Sequence, residues 1–408
     1  MSLSPSFYKN NRQNLAEKLE KGCAVILYSG REISQSLDAV YPFFYDNNFY
    51  YLTGLTESEM ILLMVKDQEG KVSEKLYLEE NDPLTVKWVG AKMEPEEASA
   101  VSAIQEVAYL PEFTEDLCSL ENIEIYYFDR TPPKHQSLAL EEESADHLRN
   151  KSAKDVGPLI ADMRLYKQKE EIDALQQAID ITQVALETLL KNLKPDKKEF
   201  EMAALFEYSV RLAGAEGLAF PTIAVSGKHA TVLHYIQNNA TMAENTLLLL
   251  DLGARYDGYC ADISRTYPVD GRYTGVRKTA YEVVLEVQKE MIQSYQPGAE
   301  MKELQNKTRE LFSEKCFSAG LIPKDHDIED CYYHGIGHSL GLDVHDTKDK
   351  RDYTLTPGMV LTCEPGIYIQ EHGIGIRIED DILITEEGPV NLSKNIVKEI
   401  EEIEAFMS

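Results

Sequence analysis

Four carboxylates and one imidazole, set in otherwise apolar, strand-like runs, constrain this chain more than anything else in it. Asp251 and Asp262 lie in LLLLDLGARYDGYCADISRTYPV, His338 in HGIGHSLGLDVHD, Glu364 in LTCEPGIYI and Glu379 in GIGIRIEDDILIT. A buried charge is costly unless it is paired or binds a cation, and nothing local in these runs supplies four partners. Carboxylate and imidazole suit manganese, cobalt or zinc. A pair of such ions can hold a hydroxide between them and clamp both oxygens of a hydrolytic transition state. The expectation is two divalent ions per subunit, manganese first, with cobalt and zinc as alternatives.

The spacing supports that reading. Asp257-Gly258 is a hairpin signal between two apolar strands, which puts Asp251 and Asp262 on opposite arms. Strand side chains alternate with period two, so both can reach one face. Glu364 follows MVLTC and precedes Pro365-Gly366, a sharp change of direction. Glu379 follows GIGIRI, another strand-like run. Singly, each residue has a plainer reading: Asp257 as a turn residue, Glu364 as a loop residue, Glu379-Asp380-Asp381 as a solvated edge. Together, in this order and in these flanks, the five outweigh it.

Those flanks carry a family resemblance. HGIGHSLGLDVHD, EPGIYI and GIRIEDD, after DLG…DGY…ADISRTYPV, resemble the aminopeptidase P and prolidase branch of the pita-bread metallopeptidases. SLDAVYPFFYDNNFYYLTG resembles the N-terminal domain of the same family, so the resemblance spans nearly the whole chain. It implies an α/β (α+β) fold: an N-terminal aminopeptidase P/creatinase-like α/β domain over 1–160, then a pita-bread catalytic domain over 161–408. It implies a metal-dependent exopeptidase that releases the first residue from peptides with proline in second position, by attack of a hydroxide bridging two metals. It also implies a homodimer or homotetramer. By this resemblance Asp251 binds the first ion, Asp262 and Glu379 bridge both, and His338 and Glu364 complete the second. His334 supports the ligands from behind. His345 reaches the substrate and stabilises its oxyanion, and His234 contacts the substrate beyond the scissile bond. Glu364 also carries a proton to the leaving nitrogen, Arg377 orients carboxylates, and Tyr368 donates a hydrogen bond into the cleft.

A prolidase, which cleaves only Xaa-Pro dipeptides, shares every ligand; the organisation of the first 160 residues tilts the reading to aminopeptidase P. A creatinase-like hydrolase or a non-catalytic pita-bread binding module would have lost ligands, and this chain keeps all five. Methionine aminopeptidase shares the ligands but does not need the first 160 residues. Two departures from the family pattern bear on substrate length and N-terminal docking. Phe44 stands where Arg often follows Tyr-Pro-aromatic, and Lys228-His229-Ala230 replaces the Asn-Gly that often follows Ser226-Gly227. Trp88, the sole tryptophan, reads as an N-domain core residue, with lining of a neighbouring subunit's site as the second reading.

The remaining composition excludes other classes. The net charge of −29 lacks the basic footprint of a nucleic-acid binder. The six cysteines form no CxxC pair, which argues against a zinc–thiolate site, and most read as small buried hydrophobes. No apolar run reaches signal-peptide or membrane-span length, so a cytoplasmic protein with no membrane partner is expected. Gly157-Pro158 breaks local structure, and a long helix follows with a stripe of Ile172, Leu175, Ile179, Leu186 and Leu190. A helical pattern recurs in the second half, with Pro195 and Pro297 opening the second helix of each copy and Gly214 and Gly320 closing it. Gly335 and Gly337 argue against a helical His334/His338 ligand pair. His135, His147, His326 and His372 are assigned to the surface, and His229 is left open.

Overall fold

The computed structural model describes residues 3–131, 151–323, 326–346 and 353–408. His135 and His147 lie outside these residues. The chain divides into two units, Met1–Met163 and Arg164–Ser408.

In the first unit the runs CAVILY and ILLMVK form β1 (Cys23–Tyr28) and β2 (Ile61–Lys66). With β3 (Val72–Leu78), β4 (Glu106–Tyr109), β5 (Ile125–Phe128) and β6 (Ser152–Asp155) they make one mixed sheet in the order β4-β3-β2-β1-β5-β6. β1, β2 and β3 pair antiparallel, and β4, β5 and β6 add in parallel. Ile26, Leu63, Tyr77, Phe113, Tyr126 and Phe128 share one buried core. The helix Pro5–Lys18 starts with proline in its first turn and with the Ser4 hydroxyl accepting from the Phe7 N–H at 3.2 Å, which satisfies one of the unpaired amides of a helix start. Trp88 corrects an expectation. It lies on the helix Pro83–Val89, which buries none of its residues, and is 87% exposed. The core that would have taken it is filled by aromatic residues of the sheet.

The second unit repeats a pattern. Helix Lys169–Leu190 is followed by helix Glu199–Leu212, and helix Gly275–Ser294 by helix Met301–Ser318. Leu175, Ile179, Leu186 and Leu190 are buried along the first, with Ile172 half-buried at its start. Pro195 and Pro297 do not open the second helices as expected. Each sits in a turn four residues before its helix, followed by an isolated bridge at Lys198 or Glu300. Gly214 (φ +91°) and Gly320 (φ +68°) follow the helix ends in the left-handed conformation, which glycine adopts without a steric penalty.

Each half also holds an antiparallel three-stranded ladder. One is β8 (Ile223–Ser226), β9 (Leu247–Leu252) and β12 (Ile263–Pro268); the other is β13 (Val360–Cys363), β16 (Asp380–Thr385) and β17 (Gly388–Asn391). Between β9 and β12 run β10 (Ala254–Tyr256), which also pairs with the short β7 (Gly217–Leu218), and β11 (Tyr259–Cys260), with β10 and β11 joined by Asp257 (φ +46°) and Gly258 (φ +79°). This is the expected hairpin, with both turn residues left-handed as a type I′ turn requires. A hairpin of β14 (Gly366–Ile369) and β15 (Ile374–Arg377) joins the halves. The Thr266 hydroxyl of β12 accepts from the Arg377 N–H at 3.1 Å and donates to its carbonyl at 3.2 Å, and the Glu379 N–H donates to the Ser264 carbonyl at 3.0 Å.

Beside that seam lies a fully buried ion pair, Arg265 to Asp380 at 2.6 Å. Asp380 also accepts from Gln288, Asn391, Ser393 and Lys398. Burial alone would raise the Asp380 pKa, but Arg265 and Lys398 hold it well below the usual carboxylate range. All six cysteines are unbridged; five are buried and Cys118 is exposed. Among the described residues no helix is long and apolar enough to cross a membrane.

Removing one partner of a buried pair strands the other charge. Asp380→Asn is expected to lower unfolding stability by about 3–5 kcal/mol, read by urea denaturation; a loss under about 1 kcal/mol, the scale of an exposed pair, would contradict this role.

Candidate active site

The carboxylates stand where strands pass from one sheet to the next. Asp251 is in β9, opposite Ser264 of β12. Asp262 falls between β11 and β12, Glu364 between β13 and β14, and Glu379 between β15 and β16. A strand that leaves its ladder can aim a side chain between sheets rather than above one. His338 arrives on an irregular, non-helical loop. That loop lies so close to β13 that a Cβ at Gly337 would stand 2.0 Å from the Thr362 carbonyl, so only glycine fits there.

These five side chains converge. Asp262, His338 and Glu379 each offer a ligand atom within 4.8 Å of one another. His338 Nε2 lies 3.4 Å from Asp262 Oδ2 and 3.7 Å from Glu364 Oε1. One guanidinium serves the acidic side: Arg377 donates to Asp251 Oδ2 at 2.7 Å and to Ser264 Oγ at 2.7 Å, and Ser264 donates on to Glu379 Oε2 at 2.6 Å. Its third arm donates to the Tyr368 hydroxyl at 3.0 Å.

The charge balance remains negative. Burial raises the pKa of Asp251, although Arg377 opposes it. Burial and then the charge of Asp251 raise Asp262 well above the usual carboxylate range, and burial with Asp262 does the same for Glu379. Asp251 Oδ1 is buried without a hydrogen-bond partner, and so is Oδ1 of Asp381, whose other oxygen accepts from the Asp262 N–H. Orphaned carboxylate oxygens, like charges at close range and one neighbouring imidazole are what a divalent cation would satisfy. The residues present therefore fit the metals that the ligand pattern implies.

Three further histidines surround the cluster. His334 Nδ1 lies 2.7 Å from the Gly335 carbonyl and its Nε2 lies 2.9 Å from the Tyr368 hydroxyl. With Nδ1–H donating to the carbonyl, Nε2 accepts from Tyr368, so His334 has no free polar atom. Burial lowers its pKa, consistent with that neutral ring. The Tyr368 hydroxyl, expected to point into the cleft, is instead committed between His334 and Arg377, and Tyr368 is buried. The His345 ring packs on His338 with centroids 4.0 Å apart. His345 is exposed overall, and partial burial of its ring and then the His338 charge lower its pKa to about 4. His234 is exposed, on a segment whose two ends are pinned by the buried Glu199. Glu199 accepts from the Ser226 N–H and hydroxyl at one end and from the Ala240 N–H at the other. His229, left open from sequence, stacks on Tyr235 at 4.3 Å and faces Glu199 at 3.6 Å. His326 and His372 are exposed as expected.

Several contributors escape a sequence reading. Glu379-Asp380-Asp381 is not a solvated edge but a fully enclosed triplet. Asp381 Oδ2 accepts from the Asp262 N–H at 3.3 Å. Ser264 couples Arg377 to Glu379, and Thr362 accepts from the His338 N–H at 3.0 Å. Only Ser264 leaves a trace in the sequence, at the strand position two after Asp262.

The raised carboxylate pKa values have a signed consequence. A carboxylate whose folded pKa exceeds its unfolded one favours the fold below the unfolded value, and that contribution is lost as pH rises through the folded value. The chelated protein should therefore gain stability from Asp251, Asp262 and Glu379 as pH falls from 7 towards 5. Asp262→Asn is expected to raise the melting temperature of the chelated protein at pH 7 and to abolish the rise that divalent cation gives the wild type. Thermal scans with and without chelator check this, and an unaltered cation-induced rise in Asp262→Asn would contradict it.

Comparison with known proteins gives a consistent result. Residues 173–386 match Metallopeptidase family M24, and residues 8–126 match the aminopeptidase P N-terminal domain. The chain is 32% identical to Xaa-Pro aminopeptidase of Escherichia coli K12, covering 99% of this chain and 98% of that protein. It is 34% identical to human Xaa-Pro aminopeptidase 3, covering 94% of this chain and 80% of that protein. Zinc-substituted aminopeptidase P of E. coli, solved in complex with product, superposes with a TM-score of 0.93 at 30% identity, over 100% of this chain and 99% of that one. With an N-terminal α/β domain, a pita-bread second domain and a carboxylate–histidine cluster between its strands, the chain belongs to the aminopeptidase P family of M24 metallopeptidases and is a metal-dependent, hydrolytic aminopeptidase.

Proposed function

We propose that this chain is an Xaa-Pro aminopeptidase, releasing the first residue of peptides whose second residue is proline. The observation that carries the proposal is the convergence of Asp251, Asp262, His338, Glu364 and Glu379, with a buried oxygen of Asp251 left unpartnered. The choice of proline rests on similarity to the Xaa-Pro aminopeptidases of E. coli and human.

Asp251 would hold the first of two divalent ions, Asp262 and Glu379 would bridge both, and His338 with Glu364 would complete the second. Such a pair supplies Lewis-acid polarisation of a carbonyl and a water nucleophile deprotonated near neutral pH. Manganese heads the candidates, with cobalt and zinc suited to the same oxygen and imidazole donors.

The chain's own residues do the rest. Arg377 holds Asp251 and, through Ser264, Glu379 in fixed orientation. Burial opposes its charge, but the neighbouring carboxylates hold its pKa well above the usual value. Neutral His345 keeps a ring N–H for the scissile carbonyl oxygen, where negative charge develops, and donors aimed at such an oxygen are worth about 10²–10³ in rate. Glu364, which lies 3.4 Å from Thr362 and 3.6 Å from His334, would take the proton released by the water nucleophile and pass it to the leaving nitrogen of proline. That nitrogen belongs to a tertiary amide without an N–H, so a peptidase that grips the N–H fails there. In this reading His234 and His345 would flank the proline ring.

Two outcomes follow. Manganese-loaded protein should release arginine from Arg-Pro-Pro, while Ala-Pro alone should be a poor substrate. Cleavage of only the dipeptide would make the chain a prolidase, and turnover of neither with metal bound would overturn the peptidase reading. His345→Ala should lower kcat on Arg-Pro-Pro by about 10²–10³-fold with bound metal unchanged.

A further inference from the structure

The residue after His345 is a buried carboxylate with two cations of its own. Asp346 Oδ1 accepts from Arg164 Nη2 at 2.5 Å, and Oδ2 accepts from Lys167 Nζ at 3.1 Å; the three side chains are between 1% and 6% exposed. Arg164 Nη2 also reaches the half-exposed Asp343 at 2.7 Å. The Asp346 N–H donates to the Ser339 carbonyl at 2.9 Å, and the Asp343 N–H reaches Asp346 Oδ1 at 3.4 Å. A Cβ at Gly341 would stand 2.5 Å from Asp346 Oδ2, so the loop is folded tightly over its own carboxylate. Burial would raise the Asp346 pKa, but Arg164 and Lys167 keep it low.

A buried cluster of this kind adds little stability over apolar packing of the same volume, because desolvating the charges offsets their attraction. Its geometric effect is large. Both carboxylate oxygens and the peptide N–H of residue 346 are tied down, so the backbone that carries His345 is held on its C-terminal side. The preceding turn is held by Asp343 and Ser339. The His345 ring is left packed on His338, which itself faces Asp262 and Glu364.

We propose that Asp346, clamped by Arg164 and Lys167, is the positioning residue that sets the His345 ring against the metal-binding cluster. This rests on the reading in which His345 grips the scissile carbonyl. Asp346 touches no substrate. It acts through its neighbour, and Arg164 and Lys167 act through it.

The test uses the full chain, metal-loaded. Asp346→Asn keeps the volume and removes the charge. It should lower kcat on Arg-Pro-Pro by about 10- to 100-fold, the cost of roughly 1 Å of misplacement, with KM within about threefold. Metal content should match the wild type. In zinc-loaded protein labelled with carbon-13 in its histidine rings, the His345 resonance, assigned with His345→Asn, should shift while that of exposed His372 stays. Arg164→Lys, which keeps a charge but loses the double reach to Asp343 and Asp346, should give a smaller loss in kcat of the same kind. Wild-type kcat with an unmoved His345 resonance would overturn the proposal, and so would a lowered melting temperature with both readouts unchanged. If Asp346→Asn does not fold, Asp343→Asn at the half-exposed partner serves instead: a reduced kcat with a shifted His345 resonance is expected, and neither change would overturn it. Should the wild type turn over no Xaa-Pro peptide, the activity is wrong, while the resonance shift still reports on the clamp.

Discussion

Like charges held close together inside a protein are the condition on which the rest of this molecule depends. Asp262 and Glu379 are buried with the largely buried Asp251 close by; burial pushes all three towards the neutral form, and their mutual repulsion adds to this at Asp262 and Glu379. Arg377 contacts Asp251 and Glu379, and one guanidinium cannot balance three carboxylates with Glu364 close by. A fold that keeps such an arrangement expects positive charge from outside the chain. The same imbalance accounts for an orphaned oxygen on Asp251, which in a purely structural ion-pair network would be satisfied by the protein.

The architecture supplies the force that holds these groups in place. Two similar halves, each a helix pair with a three-stranded ladder, meet along a seam where Ser264 and Thr266 bind the backbone of Glu379 and Arg377. Asp262, Glu364 and Glu379 come from the breaks between strands and Asp251 from within β9, so no single element carries the site. Arg265 and Asp380 lock the seam immediately behind Glu379. The histidines that face outward are carried on irregular loops, each tied by a buried carboxylate: Glu199 for the segment of His234 and Asp346 for that of His345. Rigid strands thus hold the charge, while clamped loops hold His234 and His345.

Much of this was legible in the amino-acid sequence for a physical reason. Charged residues inside apolar runs announce their own anomaly, so Asp251, Asp262, Glu364 and Glu379 stand out without any knowledge of the fold. The Asp257-Gly258 turn and the stripe of the helix Lys169–Leu190 are local patterns, and local patterns survive into structure. What failed depended on distant packing. Asp380 and Asp381 looked like solvent-facing acids because their partners Arg265, Lys398 and the Asp262 amide lie 18 to more than 100 residues away. Trp88 looked like a core residue because size suggests burial, yet its helix buries none of its residues among the described residues. Tyr368 looked free to enter the cleft because a sequence cannot show that Arg377 and His334 both claim its hydroxyl.

The measurement that most directly tests the account is a count of bound manganese. The chelated protein would be equilibrated with manganese, dialysed, and analysed for metal per chain by mass spectrometry, beside Asp262→Asn treated the same way. Two ions per wild-type chain and a loss of both in the variant are predicted, since Asp262 stands within 4.8 Å of the ligand atoms of His338 and Glu379. No retained manganese in the wild type, or equal occupancy in the variant, would contradict the claim that this buried carboxylate cluster exists to hold divalent cations.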